Sequence, residues 1–288
     1  MVMQQKKKWS MLSTSGNLGS GAKQSLGQHF LTNPRVVEKM VGTAELKRGD
    51  TVLELGPGTG MLTEGLLNAG AHVIALEADE RAVAVLRERF ADTLVSGMLT
   101  LHHADVRERA PASFVPADTS YSVVANIPYY LSGMLLRTTL TAAHQPKHLV
   151  FLVQKEVAER IARSKKESLL SLSVKAYGTP RYIATVSRGN FAPAPKVDSA
   201  ILSISDISRD RFKTLDESWF FRVLHAGFAS RRKQLLGALT ALCTKETLLK
   251  TFAALAISPT IRGEDLEVDL WCALAQTLFI HTEDTHRR

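Results

Sequence analysis

The chain has 288 residues, of which 45% are hydrophobic and 22% charged, and its formal net charge is +8. This composition is typical of a globular protein and excludes the disordered, collagen-like and coiled-coil classes. No apolar run approaches the roughly 18 residues that a membrane helix needs, so no membrane partner is expected. Residues 1–27 lack the apolar stretch of a secretory signal. Two cysteines are too few for a disulfide framework or a zinc site. We therefore expect a cytoplasmic protein without a bound metal.

The N-terminal residues 1–25 are polar and slightly basic without an apolar period, which predicts a flexible basic arm. From Asp50 onward, apolar runs alternate with amphipathic stretches, a pattern that predicts parallel strands covered by helices on both faces. The predicted strands are 51–55, 72–76, 99–102, 121–125 and 149–153, and the predicted helices are 62–69, 80–90, 133–143 and 155–163. We interpret residues 26–206 as a Rossmann-like α/β domain with a doubly wound, mostly parallel sheet.

Two further β-rich stretches, 182–186 and 200–205, follow turns that contain proline. The second is a candidate to complete the sheet edge as an antiparallel pair. Only helical patterns remain after Asp210, at 219–229, 233–242, 247–254 and 268–279. We therefore expect a small all-helical domain over residues 207–288.

The positive charge is concentrated in one part of the chain. Residues 154–233 contain 16 basic and 8 acidic residues, whereas the rest of the chain contains 20 of each. Such a segment is typical of a protein with a polyanionic partner, because each neutralised phosphate releases condensed counterions. A solvated basic surface explains a net charge of +8 equally well, so composition alone does not decide.

The first predicted strand runs into a glycine-rich loop that contains Gly56, Gly58 and Gly60. In a doubly wound fold, ligands bind beyond the carboxyl ends of the strands, where glycines let the backbone approach closely. Met61 stands where the pyrophosphate-binding pattern requires its last glycine. The loop therefore argues against a nicotinamide or flavin dinucleotide.

Two carboxylates follow at the ends of the next two predicted strands. Glu77 lies 21 residues after Gly56, a position from which a carboxylate can accept hydrogen bonds from both ribose hydroxyls. Asp105 ends the third strand region and could meet an adenine amino group. Helix capping or a surface salt bridge is the alternative role for either residue. Together, the loop and the two carboxylates favour an adenosyl ligand without a phosphate chain.

The most informative stretch follows the fourth predicted strand, where Asn126, Ile127, Pro128 and Tyr129 stand in succession. Proline fixes the backbone so that a carboxamide oxygen and a main-chain carbonyl can face one amino group, while the aromatic ring offers a base a stacking surface. Two acceptors on the hydrogens of an adenine N6 favour a pyramidal, nucleophilic nitrogen. Such a nitrogen can attack a methyl sulfonium in line without a strong general base.

The stretch 126–129 resembles the target-binding motif of amino methyltransferases that use S-adenosylmethionine, and 54–60 is similar to their first motif. Four further stretches resemble motifs of the rRNA adenine dimethyltransferases, most closely those of the KsgA type that act on the small subunit. They occur in the family's order between about Gln24 and Leu270, at 25–31, 154–160, 191–200 and 228–233.

The resemblance implies an S-adenosylmethionine-dependent transferase that dimethylates N6 of adenines during small-subunit ribosome biogenesis. Its implied target is two adjacent adenines in the 3′-terminal hairpin loop of small-subunit rRNA, with the immature small subunit as partner and a monomeric enzyme. The residues that would form the cofactor site are Gln28, His29, Leu31, Gly56, Gly58, Glu77, Asp105 and Asn126.

The resemblance also implies the target site and the RNA contacts. Asn126 would face the target amine, with the Ile127 carbonyl or the Pro128 region as second acceptor. Tyr129 and Phe191 would sandwich a flipped adenine, although core packing is the ordinary role of an aromatic ring. The predicted RNA-binding cations are Arg231, Arg232 and Lys233. His29 replaces the asparagine that is commoner in the family, so its contact with the cofactor could use the imidazole or only the backbone.

Three alternatives remain open. A large-subunit adenine methyltransferase of the macrolide-resistance type more often carries Gly-Lys-Gly where this chain has Gly58, Thr59 and Gly60. A non-catalytic ribosome-assembly factor would keep the fold and the RNA surface without turnover. A relative of mitochondrial transcription factors would need a targeting signal, but residues 1–25 lack arginine and an amphipathic period.

Overall fold

The computed structural model describes residues 29–230 and 233–286, so the arm predicted over residues 1–25 lies outside the described residues. The strands are β1 Phe30–Leu31, β2 Thr51–Leu55, β3 His72–Glu77, β4 Leu99–His103, β5 Tyr121–Asn126, β6 His148–Gln154, β7 Thr179–Val186, β8 Phe191–Ala192 and β9 Ser199–Ser205. The α-helices are α1 Pro34–Thr43, α2 Met61–Asn68, α3 Glu80–Arg89, α4 Ala91–Val95, α5 Ser132–Leu140, α6 Lys155–Ala162, α7 Leu169–Lys175, α8 Glu217–Phe228, α9 Leu235–Leu239, α10 Lys245–Ala254 and α11 Val268–His286.

Seven strands form one sheet in the order β4-β3-β2-β5-β6-β9-β7. The strands from β4 to β6 in this order are parallel, whereas β9 is antiparallel to both of its neighbours. The predicted fold class is confirmed: a doubly wound, mostly parallel sheet precedes a set of C-terminal helices. The strand order reverses between β2 and β5, which places the switch point of the fold at the loops that follow these two strands.

The central strands are buried on both faces, and their side chains alternate between two hydrophobic clusters. On one face, Val52 and Val124 belong to the cluster that includes the buried residues of α1 and α2. On the other face, Leu53 and Val123 belong to the cluster that includes Leu135 of α5 and extends into the C-terminal helices. The central strands are therefore held from both sides, and the loops at their carboxyl ends start from a rigid platform.

The antiparallel pairing predicted for residues 200–205 is present, but the predicted place at the sheet edge is wrong. β9 lies between β6 and β7, and β7 forms the edge. Burial explains the order, because all residues of β9 except the last are buried, whereas β7 is exposed or half-buried along most of its length. In the C-terminal region, the helix predicted over 233–242 is confined to α9.

Helix α8 is connected to residues outside the C-terminal helices by polar contacts. The Tyr177 hydroxyl donates to the Glu217 carboxylate at 2.6 Å, and Arg209 forms an ion pair with the same carboxylate. A second Arg209 nitrogen donates to the Thr141 carbonyl at 2.6 Å.

The division of the chain into two domains at residue 206 stays a prediction. Among the helices of the described ranges, none is both long and apolar enough to span a bilayer.

Two helical glycines allow a direct test of packing between the C-terminal helices. At Gly227 in α8, a Cβ atom would overlap with the buried indole of Trp271 and lie 2.9 Å from a Leu235 methyl carbon, whereas a Cβ at Gly237 in α9 would meet nothing within 4 Å. We expect Gly227→Ala to lower the free energy of unfolding by about 1 to 3 kcal/mol through overpacking. We expect Gly237→Ala to raise it by up to about 1 kcal/mol, because alanine is the better helix former. Denaturant unfolding measures both, and equal effects would contradict this packing.

Candidate active site

A cleft lies beyond the carboxyl ends of β2, β3 and β5 and consists of two adjoining cavities. The Asn126 cavity is lined by residues that include His29, Leu31, Gly58, Asn126, Tyr129 and Phe191. The Asp105 cavity is lined by residues that include Ala78, Asp79, Asp105, Val106, Arg107 and Tyr130. Gly56, Glu77, Ile127 and Pro128 line both cavities. The cleft therefore contains every described residue that the sequence predicts for the cofactor and the target base.

The glycine loop after β2 has a backbone that favours glycine. The φ angles of Gly56, Gly58 and Gly60 are 69°, 56° and 82°, in the left-handed region. A Cβ at Gly58 would lie 2.9 Å from two ring carbons of Phe30, so the backbone and this ring approach each other closely. A ligand in the cleft can consequently contact the main chain directly.

The Glu77 carboxylate holds this loop in place. It accepts hydrogen bonds from the N–H groups of Gly58 at 3.0 Å and of Asp79 at 2.9 Å. Burial raises the pKa of the Glu77 carboxyl, although these backbone hydrogen bonds act in the opposite direction. Glu77 therefore fixes the position of the loop backbone through these hydrogen bonds. Each of its two oxygens can still accept a further hydrogen bond from a ligand hydroxyl.

Glu54, one residue before the end of β2, is a second buried carboxyl group. It is 0% exposed, and neither of its oxygens has a hydrogen-bond partner within the described part of the chain. Burial raises its pKa to about 8, and the neighbouring Glu77 adds to this effect, although polar groups of Thr63 oppose it. Two neighbouring carboxyl groups thus have raised pKa values: Glu77, which lines the cleft, and Glu54, which is buried and lines neither cavity.

In the Asp105 cavity, the Asp105 carboxylate is paired with Arg107. It accepts hydrogen bonds from the Arg107 backbone N–H at 2.8 Å and from the guanidinium at 2.5 to 3.0 Å. The guanidinium lowers the pKa of this carboxyl. The salt-bridge alternative considered for Asp105 is therefore present, and an adenine amino group would share this carboxylate with Arg107.

The carboxamide of Asn126, the last residue of β5, has a defined orientation. Its Nδ2 donates to the His29 carbonyl at 3.0 Å. Since a carbonyl oxygen only accepts, the amide nitrogen must face His29, and the Oδ1 acceptor is the atom available to a ligand. The His29 imidazole lies 2.8 Å from the Pro193 carbonyl through Nδ1, and does not donate to Asn126.

Two aromatic side chains line the Asn126 cavity. The Tyr129 hydroxyl lies 2.7 Å from the Ser199 hydroxyl, and its ring centroid is 5.7 Å from that of His29. Burial raises the pKa of the Tyr129 hydroxyl. Phe191 is 5% exposed and belongs to β8, which pairs with β1. Both rings are therefore available to a flat ligand in this cavity.

The predicted RNA-binding cluster is only partly visible. Arg231 and Arg232 lie outside the described residues, and Lys233 is exposed after the end of α8. Gln28, which is predicted for the cofactor site, also lies outside the described residues. Seven described cations of the basic segment 154–233 form ion pairs within the protein: Lys155, Arg160, Lys166, Lys175, Arg209, Arg211 and Lys213. This part of the positive charge is already neutralised, so the segment offers fewer free cations than its composition indicates.

A groove at the carboxyl end of β6 contains three cations and three carboxylates: Lys155, Arg188 and Lys196 with Glu156, Glu159 and Asp198. Within the described residues, the side chains of Arg188 and Lys196 form no ion pair, although the Arg188 backbone N–H donates to the Asp198 carboxylate at 3.0 Å. The Lys155 ammonium lies 3.9 Å from the Glu159 carboxylate. The sequence reasoning did not connect Lys196 with this groove. Its place between Phe191, which lines the Asn126 cavity, and Ser199, which contacts Tyr129, was the available signal.

Comparison with known proteins identifies the family. The family model described as ribosomal RNA adenine dimethylase matches residues 19–279. The chain belongs to the ribosomal RNA adenine dimethylase family. Two relatives of this dimethylase carry the name ribosomal RNA small subunit methyltransferase A. The protein from Dehalococcoides mccartyi is 37% identical over 266 residues, covering 91% of this chain and 89% of the relative. The protein from Lactococcus lactis is 37% identical over 266 residues, covering 89% and 90%.

Solved structures agree with this assignment of the dimethylase. A dimethyladenosine transferase from Plasmodium falciparum aligns with a TM-score of 0.73 and 25% identity, covering 90% of this chain and 98% of that structure. The 23S rRNA methyltransferase ErmE aligns with a TM-score of 0.68 and 21% identity, covering 87% and 99%. The second likeness shows a shared fold only.

The buried Glu54 makes the stability of the dimethylase depend on pH. A carboxyl group whose pKa is raised from 4.5 to about 8 on folding stabilises the folded state fully below pH 4.5, and this contribution is lost as the pH rises toward 8. We expect the free energy of unfolding of Glu54→Gln to exceed that of the wild type by an amount that grows from pH 5 to pH 8. Glu88→Gln on the exposed face of α3 is the control. Denaturant unfolding across this range checks it, and parallel curves for Glu54→Gln and wild type would refute it.

Proposed function

We propose that the chain transfers methyl groups from S-adenosylmethionine to N6 of adenines in small-subunit rRNA and that it dimethylates two adjacent adenines in the 3′-terminal hairpin loop. Its family membership makes it an rRNA adenine methyltransferase. The observation that carries the proposed chemistry is the orientation of Asn126, whose Oδ1 is left as an acceptor between a glycine loop and two aromatic rings.

The residues present fit S-adenosylmethionine. The glycine loop offers main-chain contact, and the Glu77 carboxylate is placed to accept from a ribose. Asp105 is the candidate partner of the adenine amino group, and the remaining proposed contacts come from Gln28, His29, Leu31, Gly56 and Gly58. When bound, S-adenosylmethionine supplies an electrophilic methyl group on a sulfonium.

The target adenine is proposed to enter the Asn126 cavity. Asn126 Oδ1 would accept one N6 hydrogen and a main-chain carbonyl the other. The Pro128 carbonyl already accepts from the Leu131 N–H at 3.0 Å, so Ile127 is the better candidate for the second acceptor. Pro128 holds this turn, and Tyr129 and Phe191 would contact the two faces of the flipped base. These contacts orient the N6 lone pair, so the attack needs no strong general base.

The names of the relatives from Dehalococcoides mccartyi and Lactococcus lactis specify the small subunit, which supports the small-subunit target over the large-subunit alternative. RNA phosphates would contact Arg231, Arg232 and Lys233, together with the groove cations Lys155, Arg188 and Lys196. We propose that the protein acts as a monomer on immature small subunits in the cytoplasm.

The first test is methyl transfer. Wild-type protein and labelled S-adenosylmethionine are incubated with under-methylated small or large ribosomal subunits, and the modified base is mapped. We expect label in 3′-terminal adenines of the small subunit, and a rate reduced at least about a hundredfold in Asn126→Ala, because the oriented acceptor is removed. Asn68→Ala, on the exposed end of α2, is the control. Label only in the large subunit would support a large-subunit adenine methyltransferase of the macrolide-resistance type. Tight binding of the small subunit without label would support a non-catalytic assembly factor.

A second test addresses the RNA contacts. Replacing Arg231, Arg232 and Lys233 together with alanine should weaken rRNA binding and flatten its salt dependence, since fewer counterions are released on binding. The control replaces three exposed cations on other helices, Lys39, Arg87 and Lys245. RNA affinity is measured over a range of salt concentrations. Binding that is unchanged at every concentration would show that the three cations do not contact RNA.

A further inference from the structure

We call residues 29–33 the bridge, because they contact both Asn126 and the loop 190–193, which carries Phe191. At one end, the His29 carbonyl accepts from Asn126. Along its length, β1 pairs with β8, with Leu31 opposite Phe191. The Thr32 N–H donates to the Asn190 carbonyl at 2.9 Å, and the Asn33 amide donates to the Asn190 side chain at 2.7 Å. The bridge therefore contacts both the proposed catalytic carboxamide and the loop 190–193 that carries Phe191.

The His29 side chain completes this bridge. Its Nδ1 lies 2.8 Å from the Pro193 carbonyl. Because that oxygen only accepts, Nδ1 must carry the proton and donate. The same ring stands beside Tyr129, with ring centroids 5.7 Å apart and an interplanar angle of 31°. One residue thus contacts Asn126 through its carbonyl, Tyr129 through its ring and the Phe191 loop through its Nδ1.

The bridge also faces the proposed cofactor. His29, Phe30 and Leu31 line the cavity together with Gly56 and Gly58. A cofactor that contacts these residues would hold the bridge, and the bridge would in turn hold the loop 190–193. Order that one ligand imposes on a shared element no longer has to be imposed by the second ligand.

We propose that His29 is a positioning residue that couples the two sites: through the hydrogen bond from Nδ1 to the Pro193 carbonyl, an occupied cofactor site holds the Phe191 loop in the geometry that accepts the target adenine. The proposal rests on the proposed function. By linkage, RNA must tighten cofactor binding by the same factor as the cofactor tightens RNA binding.

Three substitutions separate the hydrogen bond from the ring. In His29→Asn, the Nδ2 donor stands at the same number of bonds from Cα as the imidazole Nδ1, so the bond to Pro193 can be kept without the ring. His29→Phe keeps a ring beside Tyr129 and removes the donor. His29→Ala removes both the ring and the hydrogen-bond donor without adding volume. If the larger ring of His29→Phe prevents folding, His29→Ala takes its place in the comparison. His72→Ala, exposed at the start of β3, is the control.

The experiment measures the affinity for under-methylated small subunits with and without saturating S-adenosylhomocysteine, which cannot donate a methyl group. In the wild type, His72→Ala and His29→Asn, we expect the thioether to tighten RNA binding about fivefold or more, and RNA to tighten thioether binding equally. In His29→Phe and His29→Ala, we expect this coupling factor to fall to about one, whatever the affinity of each variant for the thioether alone, because the factor is a ratio of two affinities of the same variant.

Several results would overturn the proposal. One is a coupling factor of one in the wild type when both ligands bind, and another is full coupling in His29→Phe or His29→Ala. Loss of coupling in His29→Asn would also overturn it, because the donor would then not be the coupling group. A wild-type protein that binds neither ligand, or binds both without methylating adenine, would instead refute the proposed function, so the two failures are distinguishable.

Discussion

The hydrogen bond from Asn126 to the His29 carbonyl determines what the cleft can do chemically. A carboxamide has a donor end and an acceptor end, and an amino group that is to be made nucleophilic needs the acceptor. If the amide were reversed, its hydrogens would face those of N6 and repel them. By occupying the donor end, the His29 carbonyl leaves Oδ1 for the cavity. A backbone atom of the bridge 29–33 therefore sets the polarity of the proposed catalytic side chain.

This hydrogen bond depends on the topology of the sheet. β2 and β5 are parallel neighbours, with Leu55 opposite Ala125, so the next residues of both strands emerge side by side. A Cβ at Gly56 would lie 3.9 Å from the Asn126 carbonyl oxygen. The glycine loop and the Asn126 turn consequently share one edge of a strand pair that is buried on both faces. A ligand lying across this edge can contact both loops without any movement of the sheet.

The sequence was sufficient for the central strands, because continuous apolar runs bounded by glycine or polar residues have few alternatives to a buried strand. It was insufficient for α1, although Asn33 as N-cap and Pro34 at the first helical position were a usable signal. The position of β9 inside the sheet also escaped prediction, since the pattern of a strand does not name its neighbours. Among the site residues, motifs predicted which side chains line the cleft. They could not predict contacts between distant segments, such as His29 with Pro193 or Tyr129 with Ser199.

Net charge alone does not separate the cofactor side of the cleft from the RNA side. Beside the glycine loop, burial raises the pKa of the Glu77 carboxyl, and the Asp105 carboxylate is already paired with Arg107. In the groove at the carboxyl end of β6, three cations stand beside three carboxylates: Lys155, Arg188 and Lys196 with Glu156, Glu159 and Asp198. Recognition of the cofactor and of the target adenine would therefore depend on the directional hydrogen bonds of Asn126, Glu77 and the glycine loop rather than on net charge.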